Sequence, residues 1–497
     1  DANGSGRHAT ERAEYLRRSI SWLNLFDPST RFMRPKSNGQ WKRQFEPSDV
    51  DFSFTEANSW QYSFSVPHDL WALLSAHGGP EQFCARLDAL FAAPSQTTGR
   101  TQADITGLVG QYAHGNEPSH HIAYLYDYSG EPWETQARVS EIRNTLYAAR
   151  PDGLAGNEDC GQMSAWFVMS ALGFYSVKPG AAEYAVGSPL FAHAAIHLEN
   201  GRTFEIIRDG IGPYIQEAPS SRRWVHEPFL LHREIVDGGS ISFHMGAEPF
   251  SFPRPLSPGA YRHSRVPGDV EAAPVPFVRV GDAQFRDSTK VELAPPPDPF
   301  GLQVPLAGSR FRTRYTVDGS DPTLASPVYT APIRLEATTT MKFRSERTAP
   351  SLPSRSANSN DCLSPIQVAV FRRIDDAGVA PDTDAQSQIG LEIDREQVQA
   401  LDRLVAHLRS RKIEPVIAAL GSSEAYRSTP KAQRLVDAAD DAIEQVVARR
   451  GVAFVDMRDV SDPADFVDLV HTNSTGARIE SERLTAALAK VGPGCAR

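Results

Sequence analysis

Glu56 lies in the first of three short segments that place carboxylates beside aromatic, amide or glycine residues. Trp60 and Tyr62 follow it closely, so its carboxyl group can lie against an apolar wall. Such a wall raises the pKa of a carboxyl group and suits it to donate a proton to a leaving oxygen. The alternative is a solvated loop glutamate, since most Glu side chains are exposed.

The second segment is a tight loop rich in oxygen ligands, and it reads Gly115-Asn116-Glu117-Pro118-Ser119-His120-His121. Amide, carboxylate and backbone carbonyl oxygens are the ligands that Ca²⁺ prefers. Paired histidines also occur in zinc sites, but adjacent side chains point apart, and no further His or Cys stands at ligand spacing. A loop that only caps a helix is the alternative.

The third segment contains two adjacent carboxylates, Glu158 and Asp159, after the glycines Gly153 and Gly156. Glycine permits a close approach of two backbones. The apolar spacing that follows predicts a helix, and the dipole at its N-terminus keeps a nearby acid ionised, as a general base requires. The alternative is that Asp159 only N-caps this helix.

Helices must position most of these residues. From residue 11 to about 174 the spacing of apolar residues predicts an all-α block of about six helices, whose loops carry the three segments. After Pro179, short runs rich in β-formers predict strands over 184–186, 195–198, 203–207 and 240–244. We assign residues 1–180 to the helical block and residues 181–250 to a set of β strands that closes it.

The remainder of the chain is predicted to contain three further parts. Residues 251–300 are crowded with proline and predict an extended linker, and residues 301–356 predict a small β-sandwich. Residues 357–497 alternate between strands (368–371, 415–420, 452–455) and helices (396–411, 432–449, 476–490). Such alternation predicts an α/β module with a parallel sheet, so the fold class is multidomain.

Composition excludes several classes of function. The 51 Lys and Arg residues against 61 Asp and Glu give a net charge of −10, which disfavours binding to nucleic acid or an anionic membrane. No apolar run is long enough to span a membrane, and no signal peptide is visible. Four cysteines are too few for a disulfide scaffold; Cys362 and Cys495 form either a clip around the last module or two unpaired thiols.

Taken in order, the motifs resemble those of glycoside hydrolase family 92. Residues 56–62 read Glu-Ala-Asn-Ser-Trp-Gln-Tyr, and residues 156–166 read Gly-Asn-Glu-Asp-Cys-Gly-Gln-Met-Ser-Ala-Trp. The resemblance also includes residues 24–34, 66–69, 115–121, 170–175 and 187–191, and it covers about residues 10–250.

The resemblance implies a calcium-dependent, exo-acting and inverting α-mannosidase that degrades mannose-containing glycans, secreted, periplasmic or at the cell surface. The family combines an N-terminal β-sandwich with an α/α six-hairpin barrel. This chain resembles the C-terminal part of that enzyme, so we expect the sandwich to be a missing partner.

The family's roles fall on matching positions of this chain. Glu56 matches the general acid, and a Glu rather than a Gln there implies ordinary mannosides as substrates. Asp159 matches the base, although some members have a second Asp where this chain has Asn157. Asn116 and Glu117 match the calcium loop. The residues expected to bind substrate are Trp60, Gln61, His68, His120, Asn157 and Glu158.

Two weaker resemblances concern the C-terminal half. Residues 314–329 look like the small β module of chitobiases. Asp468 and His471 are similar to the Asp-x-x-His block of SGNH-type esterases and form a second candidate site, with His as base and Asp orienting it. The alternatives to a mannosidase are therefore a carbohydrate esterase, or a carbohydrate-binding or scaffolding fragment without turnover. For the last module, the alternative to an esterase is a fragment or decayed domain in which His471 only caps a helix.

Overall fold

The computed structural model describes residues 9–100, 102, 105–150, 152–221, 227–250, 274–295, 311–347, 363–374, 416–420, 449 and 453–457. The chain divides into two compact units, residues 1–376 and residues 377–497. Within the described residues, no helix has the length and apolar composition required to cross a membrane.

Eight helices are described in the first unit: α1 (Ala9–Ser19), α2 (Ser59–Tyr62), α3 (Leu70–Ala76), α4 (Pro80–Ala92), α5 (Tyr126–Ser129), α6 (Pro132–Thr145), α7 (Gln162–Leu172) and α8 (His232–Val236). Local sequence explains their ends. Proline is the first residue of α4 and α6, where no backbone N–H is needed. Glycines with positive φ flank α7 on both sides, and Gly173 at its end has a φ of 96°.

Residues between the helices are less helical than the sequence predicts. They form short 3₁₀ turns and eight two-residue strands: β1 (Phe26–Asp27), β2 (Phe32–Met33), β3 (Lys36–Ser37), β4 (Gln40–Trp41), β5 (Asp49–Val50), β6 (Thr98–Gly99), β7 (Leu108–Val109) and β8 (Tyr112–Ala113). The all-α assignment of residues 1–180 is thus corrected to a mixed segment. One core, rich in Tyr, Phe and Trp, unites its parts.

The strands predicted after Pro179 are confirmed: β10 (Glu183–Val186), β11 (His193–His197), β12 (Thr203–Gly210) and β15 (Gly239–Gly246). With β9 (Phe174–Tyr175), β13 (Tyr214–Glu217) and β14 (Phe229–Leu231) they form sheets of order β14-β10-β9 and β11-β12-β15-β13. β12 and β15 run parallel, whereas the other pairs in these two sheets are antiparallel. Their alternating side chains form a second core.

A correction concerns the predicted linker over 251–300. Three strands lie inside it: β16 (Phe277–Val280), β17 (Gln284–Phe285) and β18 (Thr289–Ala294). The prolines that suggested a linker lie outside these strands, and β18 alternates buried and exposed residues as a half-buried strand does. The β module therefore begins near residue 277.

The α/β module also begins later than predicted. The predicted strand over 368–371 is part of β22 (Gln367–Arg373), which pairs antiparallel with β21 (Thr339–Arg347) inside the small β module. β19 (Phe311–Thr316) and β20 (Ile333–Leu335) complete that module. Ala369 and Phe371 are fully buried in its core. The apolar residues that suggested a strand of a parallel sheet are therefore core residues of the β module.

In the second unit, β23 (Val416–Leu420) and β24 (Ala453–Met457) pair in parallel, which confirms two of the predicted strands. Arg449 is helical. The rest of the helices predicted over 396–411, 432–449 and 476–490 lies outside the described residues, as do Asp468, His471, Cys362 and Cys495.

A hairpin joins the site-bearing segment to the β module. Asn38, in the turn between β3 and β4, donates to the carbonyl of Val370 (2.8 Å) and accepts from its N–H (2.6 Å). Lys36 in the same hairpin lies 4.2 Å from the ring centre of Trp41 and 5.4 Å from that of Phe277. The β module is thus bound to the segment that carries Glu56.

We expect Asn38→Gly to lower the free energy of unfolding by about 1–3 kcal/mol, because two partly buried hydrogen bonds are lost. Glycine tolerates the φ of 50° at this position, so backbone strain does not contribute. Asn38→Asp keeps the acceptor and is expected to cost less. Denaturant unfolding of both variants measures this, and unchanged stability in both would contradict the proposed joint.

Candidate active site

Three carboxylates from distant parts of the sequence interact in the folded chain: Glu56, Glu117 and Asp159. The pKa of Glu117 is raised to about 7, first by burial and then by a hydrogen bond with Asp159 and the negative charges of Asp159 and Glu56. The three residues predicted to be acid, metal ligand and base therefore share one electrostatic environment. Mutual repulsion of this kind is typical of active sites and of sites that hold a cation.

Two glycines allow the loops of Glu117 and Asp159 to meet. A Cβ on Gly115 would lie 2.7 Å from the carbonyl oxygen of Ala155, and one on Gly156 would lie 2.9 Å from the carbonyl oxygen of Gly115. The two backbones thus cross in direct contact, at positions where only glycine fits.

The segment that carries Glu56 is a bend closed by the capping box of α2. Asn58 accepts a hydrogen bond from the N–H of Trp60 (3.1 Å), and its own N–H donates to Gln61 Oε1 (3.4 Å). Ala57 has a φ of 58°, a conformation that is costly for a residue with a Cβ, and its N–H donates to Gln102 Oε1 (2.9 Å). The bend is therefore held from outside as well as by its own sequence.

Of the two aromatic residues predicted beside Glu56, Tyr62 interacts with it. The backbone amide of Glu56 donates to the Tyr62 hydroxyl, and the pKa of Tyr62 is raised by burial and by the charge of Glu56. Phe54 stacks on Tyr62 with 5.2 Å between ring centres. Tyr62 is therefore the aromatic residue that lies beside Glu56, whereas Trp60 contacts Phe32 and Arg86.

The backbone just before α7 directs Asp159 toward Glu117 rather than into a helix cap. Asp159, Cys160 and Gly161 all have positive φ, and Gly161 provides no side-chain cap. Glu158 accepts hydrogen bonds from the N–H (3.1 Å) and hydroxyl (3.0 Å) of Ser164 in the first turn of α7. The capping role considered for Asp159 thus falls to Glu158.

A network of aromatic and histidine side chains supports the crossing loops. His114 Nδ1 bonds the Tyr112 hydroxyl (2.8 Å), and its Nε2 bonds the Tyr147 hydroxyl (2.7 Å). His120 donates through Nε2 to the His114 carbonyl (2.9 Å), and its Nδ1 faces Gln162 Nε2 (3.2 Å). Burial lowers the pKa of His120 to about 4, so this ring is neutral.

Two residues predicted to bind substrate are almost fully buried and hydrogen-bond to neighbouring loops, and their substrate contact stays a prediction. Gln61 is fully buried and donates to the carbonyl of Gln111 (2.9 Å). His120 is 1% exposed, with both ring nitrogens hydrogen-bonded. Both hold loops of the site.

For the other residues predicted to bind substrate, the structure gives only their surroundings. Trp60 is half-buried between the edge of Phe32 and the guanidinium of Arg86, each 4.8 Å away. His68 Nε2 bonds the carbonyl of Ser19 (2.7 Å). Asn157 is half-buried in the loop before Glu158. Substrate contact by Trp60, His68, Asn157 and Glu158 stays a prediction.

Unpartnered oxygens show that the loop of Asn116 and Glu117 fits a cation. Asn116 is 1% exposed, yet neither Oδ1 nor Nδ2 has a hydrogen-bond partner, and Glu117 Oε1 is buried without one. Leaving such atoms unpaired is costly, and a bound cation would satisfy the oxygens. Among the described residues no group of three or more His, Cys, Asp or Glu side chains has the arrangement of a metal site, so further ligands would have to be backbone or amide oxygens.

Sequence reasoning missed several supporting residues: Gln102, Gln111, His114, Tyr147 and Gln162. His114 and Gln162 lie in or beside the motifs, but nothing in the sequence separates a supporting polar residue from one that binds a ligand. Gln102 and Gln111 hydrogen-bond to the segment of Glu56 from about fifty residues further along the chain. Local sequence patterns do not reveal contacts between such distant residues.

Two segments of the chain match known protein families. Residues 2–247 match the glycosyl hydrolase family 92 catalytic domain. All three carboxylates fall within this family 92 segment. Residues 287–353 match the chitobiase/beta-hexosaminidase C-terminal domain, as the sequence of the β module suggested.

Known proteins are similar to this chain over about half of its length. An uncharacterized secreted glycosidase of Arthroderma benhamiae is 26% identical in an alignment 273 residues long, and the match covers 49% of this chain and 33% of the relative. A family GH92 α-mannosidase of Bacteroides thetaiotaomicron, solved in complex with mannoimidazole, is 34% identical, with 49% and 34% of the two chains covered and a TM-score of 0.45. A family GH92 inverting mannosidase of the same organism is 36% identical, with 49% and 36% covered and a TM-score of 0.41. The chain thus spans about a third of the length of these relatives.

Proposed function

We propose that this chain supplies the catalytic carboxylates of an exo-acting, inverting α-mannosidase that removes terminal mannose from glycans. The observation that carries the proposal is the meeting of Glu56, Glu117 and Asp159 around one site. The match of residues 2–247 to a glycoside hydrolase catalytic domain supports the reaction class. The same proposal includes the family's α/α barrel, its N-terminal β-sandwich as partner and a location outside the cytoplasm.

In this mechanism Glu56 donates a proton to the glycosidic oxygen as the bond to the sugar breaks. Asp159 accepts a proton from a water molecule that attacks the anomeric carbon from the opposite face, which inverts its configuration. Inverting enzymes hold the two carboxyl groups about 6.5–9.5 Å apart, with the water between them. Tyr62 lies beside Glu56, and Glu158 keeps the turn before α7 in place.

Asn116 and Glu117 are the residues that would hold calcium, because their unpartnered oxygens fit it. When bound, this ion would supply positive charge for sugar hydroxyls. The protein groups have separate roles, since Asn116 and Glu117 would hold the ion, while Glu56 and Asp159 move protons.

Asp159→Asn tests the base directly. We expect kcat for an α-mannoside to fall by about 10²- to 10⁴-fold, because an amide cannot accept the proton from water. Glu158→Gln is the matched control for kcat, since this neighbouring carboxylate caps α7 and is predicted to contact substrate but not to move a proton. It is expected to change kcat by less than about threefold while slightly lowering the melting temperature. A base role for Asp159 is untenable if the two variants lose activity equally.

A further inference from the structure

Phe52 is the most exposed large apolar side chain in the described part of the chain, at 91%. It lies on the bend that carries Glu56, four residues before it. A single exposed Phe is common on protein surfaces and needs no function by itself. Whether Phe52 has a function therefore depends on the residues around it.

Arg100 covers one side of this ring, with its guanidinium carbon 4.6 Å from the ring centre. Arg100 is only partly exposed, and its Nε is buried without a hydrogen-bond partner. The cation is therefore held over the aromatic ring rather than moving freely in solvent. The pair offers an apolar surface and N–H donors side by side.

Backbone pairing presents the two residues together. β5 and β6 form a parallel bridge, Asp49 opposite Thr98 and Val50 opposite Gly99, and the N–H of Arg100 donates to the carbonyl of Val50 (2.9 Å). Gly99 has a φ of 83° and its Cα lies directly against Val50, where no side chain fits. Phe52 and Arg100 thus lie just after the two paired strands, β5 and β6.

The turn after the bridge is also held in place. Asp51 forms an ion pair with Lys42 and accepts a hydrogen bond from the N–H of Ser53 (2.7 Å). Phe52 therefore stands between two fixed residues, so its ring is presented at low entropic cost.

We propose that Phe52 and Arg100 bind the leaving-group side of the substrate, as a subsite for the second or third sugar ring of an oligosaccharide. The proposal rests on the proposed function, because the general acid protonates the oxygen of the leaving group and so marks the side where that group lies. Four residues of extended chain span at most about 14 Å, so Phe52 is within reach of sugars beyond the cleaved bond.

The expected ligand is a neutral pyranose. Its apolar C–H face packs on an aromatic ring, and its hydroxyls accept hydrogen bonds from a guanidinium. Neither side chain is part of the carboxylate site, so the subsite affects the recognition of the leaving group and not the chemical step.

Phe52→Ala tests the subsite with two substrates. We expect KM for an α-linked mannotriose to rise about tenfold, corresponding to ~1.4 kcal/mol of binding, with kcat unchanged. KM for α-mannosyl fluoride, whose leaving group has no sugar ring, should stay the same. Phe52→Trp should retain the wild-type KM, and Ile211→Ala, which alters another highly exposed apolar residue, is the control and should change neither substrate.

Equal changes for the two substrates, or no change for either, would overturn the subsite. Binding of mannotriose measured by calorimetry separates this result from failure of the proposed function. If the wild-type protein hydrolyses neither substrate but loses affinity for mannotriose on Phe52→Ala, the subsite stands and the hydrolase proposal fails. If it binds no mannotriose at all, the subsite fails.

Discussion

Glu56→Gln is expected to lower kcat for a mannobioside by about three orders of magnitude, because the departing sugar alkoxide is a poor leaving group without a proton donor. The glutamine side chain has nearly the same size, so the bend, the Tyr62 contact and the Gln102 contact remain. The same variant should lose far less activity on a dinitrophenyl mannoside, whose leaving group departs as a stable anion. Steady-state kinetics with the two substrates measures the difference.

The dependence on the leaving group is what separates a proton donor from a positioning residue. Glu46→Gln is a suitable control, since Glu46 is an exposed glutamate on the preceding loop that accepts hydrogen bonds from Ser48. It should leave both substrates unaffected. Equal losses on both substrates in Glu56→Gln would assign Glu56 to substrate positioning and leave the acid unidentified.

Sequence alone singles out the carboxylates that meet in the fold better than it predicts the roles of the residues around them. Glycine at 115 and 156 indicates that two backbones approach closely, and the structure shows them crossing beside Glu117 and Asp159. Gln61 and His120 stand in the same motifs, but burial makes them supports of the loops. Whether a polar side chain faces a ligand or a backbone carbonyl depends on tertiary contacts, and these do not appear in residue type or spacing.

The boundaries of the β module show a similar limit. Prolines near residue 276 and after Pro295 flank β16 and β18 and suggest a linker, although the strands between them pack into a core. The strand over 368–371 is correctly predicted as a strand but is placed in the wrong module, because apolar residues do not identify the partner strand. Pairing of β22 with β21 depends on register, which only the folded module defines.

Calcium affinity is expected to fall steeply as the pH drops through about 7. The pKa of Glu117 in the metal-free protein is about 7 rather than the ordinary 4.5, chiefly because of burial, so at pH 6 most molecules carry a proton on this carboxyl group. A calcium ligand must be ionised, and the ion therefore has to displace that proton. At pH 6 the apparent Kd should be about tenfold higher than at pH 8, where the group is already ionised.

Protonation of Glu117 also makes the folding stability of the metal-free protein depend on pH, and this dependence is opposite in direction to that of calcium affinity. The folded state keeps the proton of Glu117 between pH 4.5 and 7, where an unfolded chain has lost it. The group thus stabilises the metal-free fold at low pH, and this contribution disappears as the pH rises through 7. Bound calcium cancels this trend because it keeps Glu117 ionised, so the gain in melting temperature on adding calcium should be larger at pH 8 than at pH 5.5.

Glu117→Gln removes both effects at once and is expected to abolish mannoside hydrolysis through loss of the metal. Its calcium affinity should be weak and nearly independent of pH between 6 and 8, since an amide has no proton to displace. Glu158→Gln, a nearby carboxylate bonded to Ser164, should keep the affinity and pH dependence of the unmodified protein. Calorimetric titration with calcium at pH 6 and pH 8 measures all three proteins. Tight, pH-independent binding by the unmodified protein would show that the cation is held elsewhere, because an ion bound by Glu117 must compete with its proton.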